Sequence, residues 1–393
     1  MLQFAVGKLG TIMKIQSYQI YTVKPRWIFI KLTTDTGIVG WGELISGTRT
    51  KTVVAGAHEM LERIIGMDPE NIEDIWQQLY RYFFRGGPIA MTILSGIDIA
   101  LWDIKGKHFN TPVYNLLGGK ARERLKVYSW IGGDRPADVA AEAKKRLNAG
   151  FQAVKMNGTE ELHYIDSHKK VDAVVQRVQS IRDAVGNELE IGVDFHGRVH
   201  KSMAKVLIKA LEPFQLMFIE EPVLSENNEA LKSIHDRTHV PIATGERLYT
   251  RWEFKRLFTM GCVDIIQPDI SLTGGISEAK KIVTMAEAFD VAVAPHAPYG
   301  PISLAATFQL DACSPNVFIQ EQSLGIHYNS GYDLLDFVKN KDMFEYKDGF
   351  IDLPMKPGLG IDIDEEMVER VSLEGLEWRN PLWRNDDGTI AEW

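Results

Sequence analysis

The 393-residue sequence predicts an α/β protein with a parallel barrel of the TIM type, preceded by a smaller α+β domain. From about residue 125 onward, short apolar runs alternate with helical stretches, which is typical of a buried parallel sheet. The eight runs are KVYSW (126–130), FQAVKMN (151–157), LEIGVDFH (189–196), LMFIEEP (216–222), PIATGE (241–246), VDIIQPD (263–269), VAVAPHA (291–297) and NVFIQEQ (316–322). Eight such units over roughly 200 residues suit a TIM barrel. A doubly wound open sheet is the alternative, but the chain lacks a G-x-G-x-x-G turn.

The region before the barrel predicts an antiparallel hairpin followed by helices. The stretch WIFIKLTTDTGIVGWGEL contains two β-rich runs joined by the turn Asp35-Thr36-Gly37. Helical patterns follow near residues 52–65, 71–84 and 89–107. We therefore expect an extension at residues 1–12, a first domain at 13–125, a barrel at 126–345 and a last segment at 346–393 that packs back on the first domain.

Composition excludes several classes of function. The net charge is −9 and no Lys/Arg-rich run is present, so nucleic acid is not an expected partner. No apolar run has the length of a membrane span, and a membrane partner is not expected either. With only Cys262 and Cys313, the chain has no disulfide framework, which favours a reducing cytoplasmic location.

Residues able to do chemistry stand at the ends of seven of the eight runs. These ends are Lys155-x-Asn157, Asp194-x-His196, Glu220, Glu246, Asp269, His296 and Glu321. Active sites of such barrels lie at the C-terminal ends of the strands, so we expect these side chains to converge there.

The spacing of three carboxylates predicts a metal site. Asp194, Glu220 and Glu246 are each 26 residues apart, one strand–helix unit. Three hard oxygen ligands at a barrel mouth are typical of Mg²⁺ with positions left for water and substrate. Strand alternation lets only one of Glu220 and Glu221 face the mouth; we choose Glu220 because it keeps the register.

Two histidines suggest catalysis in addition to metal binding. Asp269 and His296 lie at neighbouring strand ends, where a carboxylate can orient an imidazole and raise its basicity. Asp194 and His196 are two residues apart, so an extended strand aims both to the same side.

This ordered set of residues resembles the mandelate racemase group of the enolase superfamily. The stretches SWIGGDRPADV, DFHGRV, FIEEPV, QEQSLGIHYN, LLDFVKNK and WRNPLWR resemble in particular the members of that group that dehydrate D-galactonate. The resemblance runs from about Met13 to Trp393. It implies an N-terminal α+β capping domain, a modified (β/α)7β barrel and a C-terminal segment that returns to the cap.

The resemblance also implies the roles of the residues. One Mg²⁺ per subunit would bind Asp194, Glu220 and Glu246. His296, oriented by Asp269, would remove the carbon 2 proton of a sugar acid, and His196 would protonate the departing 3-hydroxyl. Lys155 and Glu321 would stabilise the developing oxyanion, and Asn157 would bind a substrate hydroxyl. By analogy with the family, we expect a homo-oligomer.

Several alternatives stay open at this stage. Many relatives carry a second lysine where this chain has Asn157, and that lysine acts on the opposite face of the substrate. Its absence argues against a racemase without excluding one, because His196 could supply the second proton. Another aldonic acid, such as gluconate, arabinonate or fuconate, could replace D-galactonate, and a non-catalytic relative is the remaining alternative.

Substrate specificity is expected in two loops of the first domain, near residues 24–27 and 46–51. Arg26, Arg49 and Lys51 are candidate contacts for a polyol acid, although solvated loop charges explain them equally well. A site that hydrogen-bonds several hydroxyls can reject epimers strongly, so these loops would set the choice of sugar acid. For Leu272 the sequence offers no interpretation.

Overall fold

The computed structural model describes residues 12–45, 47–82, 84–133 and 138–393. The predicted extension at 1–12 lies outside the described residues except for Ile12. Ser46 of the second specificity loop and residues 134–137 of the SWIGGDRPADV stretch also lie outside them.

The first domain consists of a small sheet and the helices that cover it. Strands β1 (Ile15–Val23), β2 (Trp27–Thr34) and β3 (Val39–Ile45) pair antiparallel in that order. Helices α1 (Thr50–Ile64), α2 (Ile72–Tyr82), α3 (Pro88–His108) and α4 (Val113–Leu116) follow. The predicted hairpin and the three predicted helices are confirmed. Helix α3 lies against β3, where a Cβ on Gly42 would come within 2.0 Å of the Gly96 carbonyl oxygen, so glycine permits this packing.

The barrel follows with the alternation that the sequence predicts. Its elements are β4 (Arg124–Trp130), α5 (Val139–Asn148), β5 (Ala153–Asn157), α6 (His168–Val185), β6 (Glu190–Asp194), α7 (Lys201–Leu211), β7 (Phe218–Glu220), α8 (Asn228–His235), β8 (Ile242–Thr244), α9 (Arg251–Met260), β9 (Ile265–Ile266), α10 (Gly275–Ala288), β10 (Ala292–Val293), α11 (Pro301–Ala312) and β11 (Gln320–Gln322). Each of the eight apolar runs overlaps one of these strands, and β4 begins two residues before its run.

The sheet curls until its ends meet. The parallel order is β10-β9-β8-β7-β6-β5-β4-β11, and a bridge between Val293 and Val317 joins the two ends. Apolar side chains from the strands, or from residues next to them, form one buried cluster: Tyr128, Ala153, Phe218, Ala243, Ile265, Ala294 and Ile319. The prediction of a barrel is therefore confirmed over the doubly wound alternative.

The last segment contacts both the barrel and the first domain. Strand β12 (Phe350–Asp352) pairs antiparallel with β4, and helix α12 (Glu365–Ser372) packs against β1. Beyond α12, the backbone N–H of Asn380 donates to Thr48 Oγ1. The exact domain bounds stay predictions, but the return of the chain to the first domain brings its last residues near the barrel mouth.

Within the described ranges, no helix combines the length and the apolar character needed to cross a membrane.

Candidate active site

The ends of neighbouring strands place the predicted residues side by side. In the parallel register, Asn157 of β5 lies opposite Asp194 of β6, and Asp194 lies opposite Glu220 of β7. A further parallel bridge sets Asp269 beside His296. The carboxyl ends of parallel strands share one edge, so residues far apart in sequence meet there.

A cavity of about 410 Å³ opens at this edge, between the barrel and the first domain. Eight of the residues discussed above line it: Arg26, Arg49, Asn157, Asp194, His196, Glu246, Leu272 and His296. Four others, Lys155, Glu220, Asp269 and Glu321, are fully buried behind this lining. The cavity therefore exposes the two histidines and two of the three predicted metal ligands.

Three ligand-type side chains converge at the cavity wall. One ligand atom each from Asp194, His196 and Glu246 lies within 4.8 Å of the other two. Among the described residues, Asp194 Oδ2 and Glu246 Oε2 are buried without a hydrogen-bond partner. Buried carboxylate oxygens that accept no hydrogen bond are costly, and a divalent cation can satisfy them. The donor set therefore fits a hard cation such as Mg²⁺.

Glu220, the remaining predicted ligand, is held by Lys155. Lys155 Nζ donates to both Glu220 oxygens, at 2.8 and 3.0 Å, and lies 2.9 Å from Glu321 Oε1. Glu321 Oε1 also accepts from Trp130 Nε1 at 2.6 Å, and Oε2 accepts from the Ala297 N–H at 2.7 Å. Lys155 therefore contacts two buried carboxylates, the predicted ligand Glu220 and its neighbour Glu321.

Glu221 has a different partner, which the sequence reasoning missed. Arg247 Nε lies 2.9 Å from both Glu221 oxygens, and Arg247 Nη2 donates to the His196 carbonyl oxygen at 3.1 Å and reaches His196 Nδ1 at 3.3 Å. Arg247 directly follows the predicted ligand Glu246 in the sequence, and this position could have identified it as a residue of the site. The two adjacent glutamates thus contact different cations, Glu220 with Lys155 and Glu221 with Arg247.

His296 and Asp269 form the predicted pair. His296 Nδ1 lies 2.7 Å from Asp269 Oδ2, and Asp269 Oδ1 accepts from the Ser271 N–H at 2.7 Å. Since a carboxylate only accepts, Nδ1 carries the proton and Nε2 is the basic nitrogen. Nε2 lies 3.4 Å from Glu246 Oε2 at the cavity.

His196 approaches the same carboxylate from another direction. Its Nε2 lies 3.7 Å from Glu246 Oε1, and its backbone N–H donates to Asp194 Oδ1 at 2.6 Å. Its φ of 51° is in the left-handed region, which a non-glycine residue adopts rarely and mostly at sites that constrain it. The turn after β6 therefore presents Asp194 and His196 to the same space.

The crowding of carboxylates perturbs their acidity. Burial, and then the charge of Glu220, raise the pKa of Asp194 well above its ordinary value. Burial also raises the pKa of Glu220 to about 7 against the opposing effect of Lys155. Burial alone would lower the pKa of His296, but the negative charges of Glu246, Glu321 and Asp269 raise it to about 10. The site therefore carries an excess of negative charge that a divalent cation would offset.

The opposite wall of the cavity comes from the first domain and the last segment. The Arg26 guanidinium donates to the Pro298 carbonyl oxygen at 2.5 Å and lies 4.6 Å from the Tyr328 ring centre and 5.6 Å from that of Trp378. Arg49, at the end of a short turn of 3₁₀ helix (Gly47–Arg49), is exposed at the rim. Lys51 is exposed and is not part of the lining.

Residues of the aromatic tail were not predicted as site residues. Trp378, Asn380 and Trp393 line the cavity, and the Trp393 ring meets the His196 ring edge-on with their centres 5.6 Å apart. The aromatic richness of WRNPLWRNDDGTIAEW was a signal for packing, but nothing local in it indicates the barrel mouth.

Comparison with known proteins gives a consistent result. Residues 15–118 match the model of the mandelate racemase/muconate lactonizing enzyme N-terminal domain, and residues 138–367 match that of the enolase C-terminal domain-like family. The chain is 54% identical over 382 residues to proteins named D-galactonate dehydratase from Cronobacter sakazakii and from Ralstonia nicotianae, covering 97% of this chain and 100% of each relative. A crystal structure of an enolase from Agrobacterium radiobacter, named as a candidate galactarate dehydratase and bound to sodium and L-malate, superposes with a TM-score of 0.88 at 31% identity, covering 96% of this chain and 99% of that one. Together with the barrel and its ring of carboxylates, these matches show that the chain belongs to the mandelate racemase/muconate lactonizing enzyme family of the enolase superfamily.

Proposed function

We propose that this protein is a Mg²⁺-dependent hydro-lyase that dehydrates a sugar acid, with D-galactonate as the substrate and 2-dehydro-3-deoxy-D-galactonate as the product. The observation that supports this most is the pair of histidines, His196 and His296, whose Nε2 atoms face different oxygens of one carboxylate, Glu246. Dehydration needs a base at carbon 2 and an acid at the 3-hydroxyl, and two imidazoles at one cavity supply both. The relatives named D-galactonate dehydratase support the choice of substrate.

His296 acts as the base in this proposal. Asp269 fixes the ring with its proton on Nδ1, so that Nε2 takes the carbon 2 proton. His196 then donates a proton to the hydroxyl that leaves carbon 3 as water. The resulting enol tautomerises to the 2-keto-3-deoxy acid.

Asp194, Glu220 and Glu246 would hold one Mg²⁺ per subunit. When bound, the cation acts as a Lewis acid for the second negative charge that develops on the substrate carboxylate, and it offsets the charge of Glu246 that keeps His296 protonated. Lys155, buried beside Glu220, would add positive charge that helps to stabilise the substrate carboxylate.

Glu321 contributes by orienting other groups. Its pKa is lowered because Lys155 and His296 together outweigh the effect of its burial, so it is an ionised acceptor. In that state it holds Lys155 and the Ala297 N–H, next to the base His296. An ionised Glu321 cannot donate a hydrogen bond to the substrate oxyanion; only a protonated Glu321 could do so.

Asn157, Arg26 and Arg49 would bind the polyol chain. Asn157 Nδ2 donates to the Gly133 carbonyl oxygen at 3.2 Å, whereas its buried Oδ1 has no partner among the described residues. That oxygen is available to accept a hydrogen bond from a substrate hydroxyl. Arg26 and Arg49 lie on the opposite wall, where either reaches a hydroxyl or carboxylate at the far end of the substrate.

The test is an assay of the purified protein, with and without Mg²⁺, against D-galactonate and a panel of other aldonic acids. Semicarbazide detects the 2-keto-3-deoxy product, and His296→Asn is the matched inactive control. Mg²⁺-dependent turnover of D-galactonate above the other acids is the expected result. Turnover of a different acid would overturn the substrate, and exchange of the carbon 2 proton with deuterium without loss of water would indicate a racemase.

Three further expectations belong to this proposal. A sugar acid is the expected partner, and we propose a homo-oligomer located in the cytoplasm. Size-exclusion chromatography with light scattering tests the oligomeric state.

A further inference from the structure

We propose that Glu43, on strand β3 of the first domain, is a positioning residue for His296, and that it makes placement of the base depend on docking of the first domain onto the barrel. This inference rests on the proposed function, because it assigns Glu43 to the reaction in which His296 is the base. Glu43 itself is not part of the cavity lining.

The segment from Pro295 to Ser303 carries His296 and leads from β10 into α11. Side chains from elsewhere in the protein hydrogen-bond to its backbone at six of its nine residues. From the barrel, Gln320, Glu321 and Ser323 bind the Pro295 carbonyl oxygen, the Ala297 N–H and the Tyr299 carbonyl oxygen. From the first domain, Arg26 binds the Pro298 carbonyl oxygen, and Glu43 binds two N–H groups further along. The segment is therefore clamped from both domains.

Glu43 provides the clamp at the start of helix α11. Its Oε1 accepts from the Gly300 N–H at 2.6 Å, and its Oε2 accepts from the Ser303 N–H at 3.0 Å. The N–H groups of a first helical turn lack partners within the helix and favour an anion there. A carboxylate that is only 1% exposed would be costly in this place without these two donors.

The contact continues to the catalytic pair. Ser303 Oγ and Ser271 Oγ are 2.6 Å apart, and the Ser271 N–H donates to Asp269, which orients His296. Glu43 thus lies at the end of an uninterrupted series of contacts that reaches both members of the pair. No other acidic side chain of the first domain contacts residues 295–303 in the described parts of the chain.

Gly300 gives independent evidence that the Glu43 carboxylate packs very close to this segment. A Cβ on Gly300 would lie 2.6 to 2.9 Å from the carboxylate atoms of Glu43, although its backbone angles, φ −84° and ψ −177°, suit any residue. Glycine is therefore required by the approach of Glu43 and not by backbone strain. Displacing the carboxylate would shift the segment that carries His296, and errors of about 1 Å in such placement can cost roughly a hundredfold in rate.

Glu43→Gln is the primary variant. The amide can accept only one of the two N–H groups and turns its own NH2 toward the other. Asp103→Asn is the structural control, because buried Asp103 also accepts from two backbone N–H groups, those of Trp41 and Leu359. It pairs in addition with Lys107, and it has no contact with residues 295–303 among its described partners. We expect Glu43→Gln to lower kcat about tenfold or more with KM within about twofold. Asp103→Asn should lower the melting temperature while kcat stays within about twofold.

Gly300→Ala provides a second route to the same contact. It should lower kcat by a similar factor, and in the Glu43→Gln background its further effect should fall below about twofold, because both changes disturb one contact. If Glu43→Gln does not fold, Gly300→Ala alone carries the test, and an unchanged kcat overturns the proposal. An unchanged kcat in Glu43→Gln, or a raised KM without loss of kcat, overturns it as well.

Amide hydrogen exchange separates this inference from the proposed function. We expect faster exchange of residues 295–303 in Glu43→Gln than in the parent or in Asp103→Asn. If the parent turns over no sugar acid, the proposed function fails. In that case the exchange data still test the inference: equal exchange rates of residues 295–303 in the parent, Glu43→Gln and Asp103→Asn would show that Glu43 does not position this segment. If the parent is active and the variant keeps both its kcat and its exchange, only the inference fails.

Discussion

Arg247 Nε lies 2.9 Å from both carboxylate oxygens of Glu221, so both oxygens of this buried glutamate already contact a positively charged side chain of the protein. Its neighbour Glu220 contacts Lys155 instead and lies in register with Asp194 on the adjacent strand. Asp194 and Glu220, two of the three proposed metal ligands, therefore lie side by side at the ends of neighbouring strands.

The first prediction concerns metal affinity. Glu220→Gln should weaken Mg²⁺ binding about tenfold or more, because it removes a charged oxygen ligand. Glu221→Gln should retain far more affinity, since it removes a partner of Arg247. Isothermal titration of Mg²⁺ into each variant measures this, and a larger loss in Glu221→Gln would reverse the assignment within the pair.

The second prediction separates the two histidines. His296→Asn should abolish exchange of the carbon 2 proton with solvent deuterium, because His296, oriented by Asp269, is the proposed base. His196→Asn should block loss of water and retain some exchange. Proton NMR of substrate in deuterium oxide reads both steps, and normal dehydration by either variant would contradict the acid–base roles.

The third prediction tests Asn157. Asn157→Ala removes the unpaired Oδ1 and should lower kcat/KM for the sugar acid about tenfold, which corresponds to roughly 1.4 kcal/mol, the scale of one hydrogen bond. The loss should be small for a substrate analogue that lacks the hydroxyl concerned. Equal losses for all deoxy analogues would show that Asn157 supports the fold of the site and does not bind a hydroxyl.

The fourth prediction concerns stability against pH. Burial raises the pKa of Asp98 to about 7, from an ordinary value near 3.8. The folded state therefore binds a proton that the unfolded state has already lost between these values, and this group destabilises the fold increasingly as pH rises from about 4 to about 7. Asp98→Asn should keep the acceptor for the Ser277 N–H and remove this dependence.

Urea unfolding at pH 5, 6, 7 and 8 measures the effect. The difference in unfolding free energy between Asp98→Asn and the parent should shift in favour of the variant as pH rises, by up to about 1.4 kcal/mol per pH unit below pH 7. Parallel curves for the two proteins would show that Asp98 does not titrate in this range.

Much of the fold follows from periodicity in the sequence. The runs that became β4 to β11 were apolar because parallel strands are buried on both faces, and that pattern is local. The 26-residue spacing of Asp194, Glu220 and Glu246 likewise reflects one repeating unit of the barrel. The order of the strands predicted that Asp269 pairs with His296, and in the structure Asp269 Oδ2 lies 2.7 Å from His296 Nδ1.

The sequence by itself therefore determined the class of fold, the edge where the site forms and the residues that point to its chemistry. Only the tertiary structure decided that Glu220 pairs with Lys155 and Glu221 with Arg247. It also decided that Trp393 contacts His196. Finally, it brought Glu43 into contact with Gly300, 257 residues away, in the segment that carries His296. The physical reason is that strand and helix patterns record burial within one element, whereas these contacts join elements through side-chain geometry. No periodic signal in the chain records such a contact before the domains pack together.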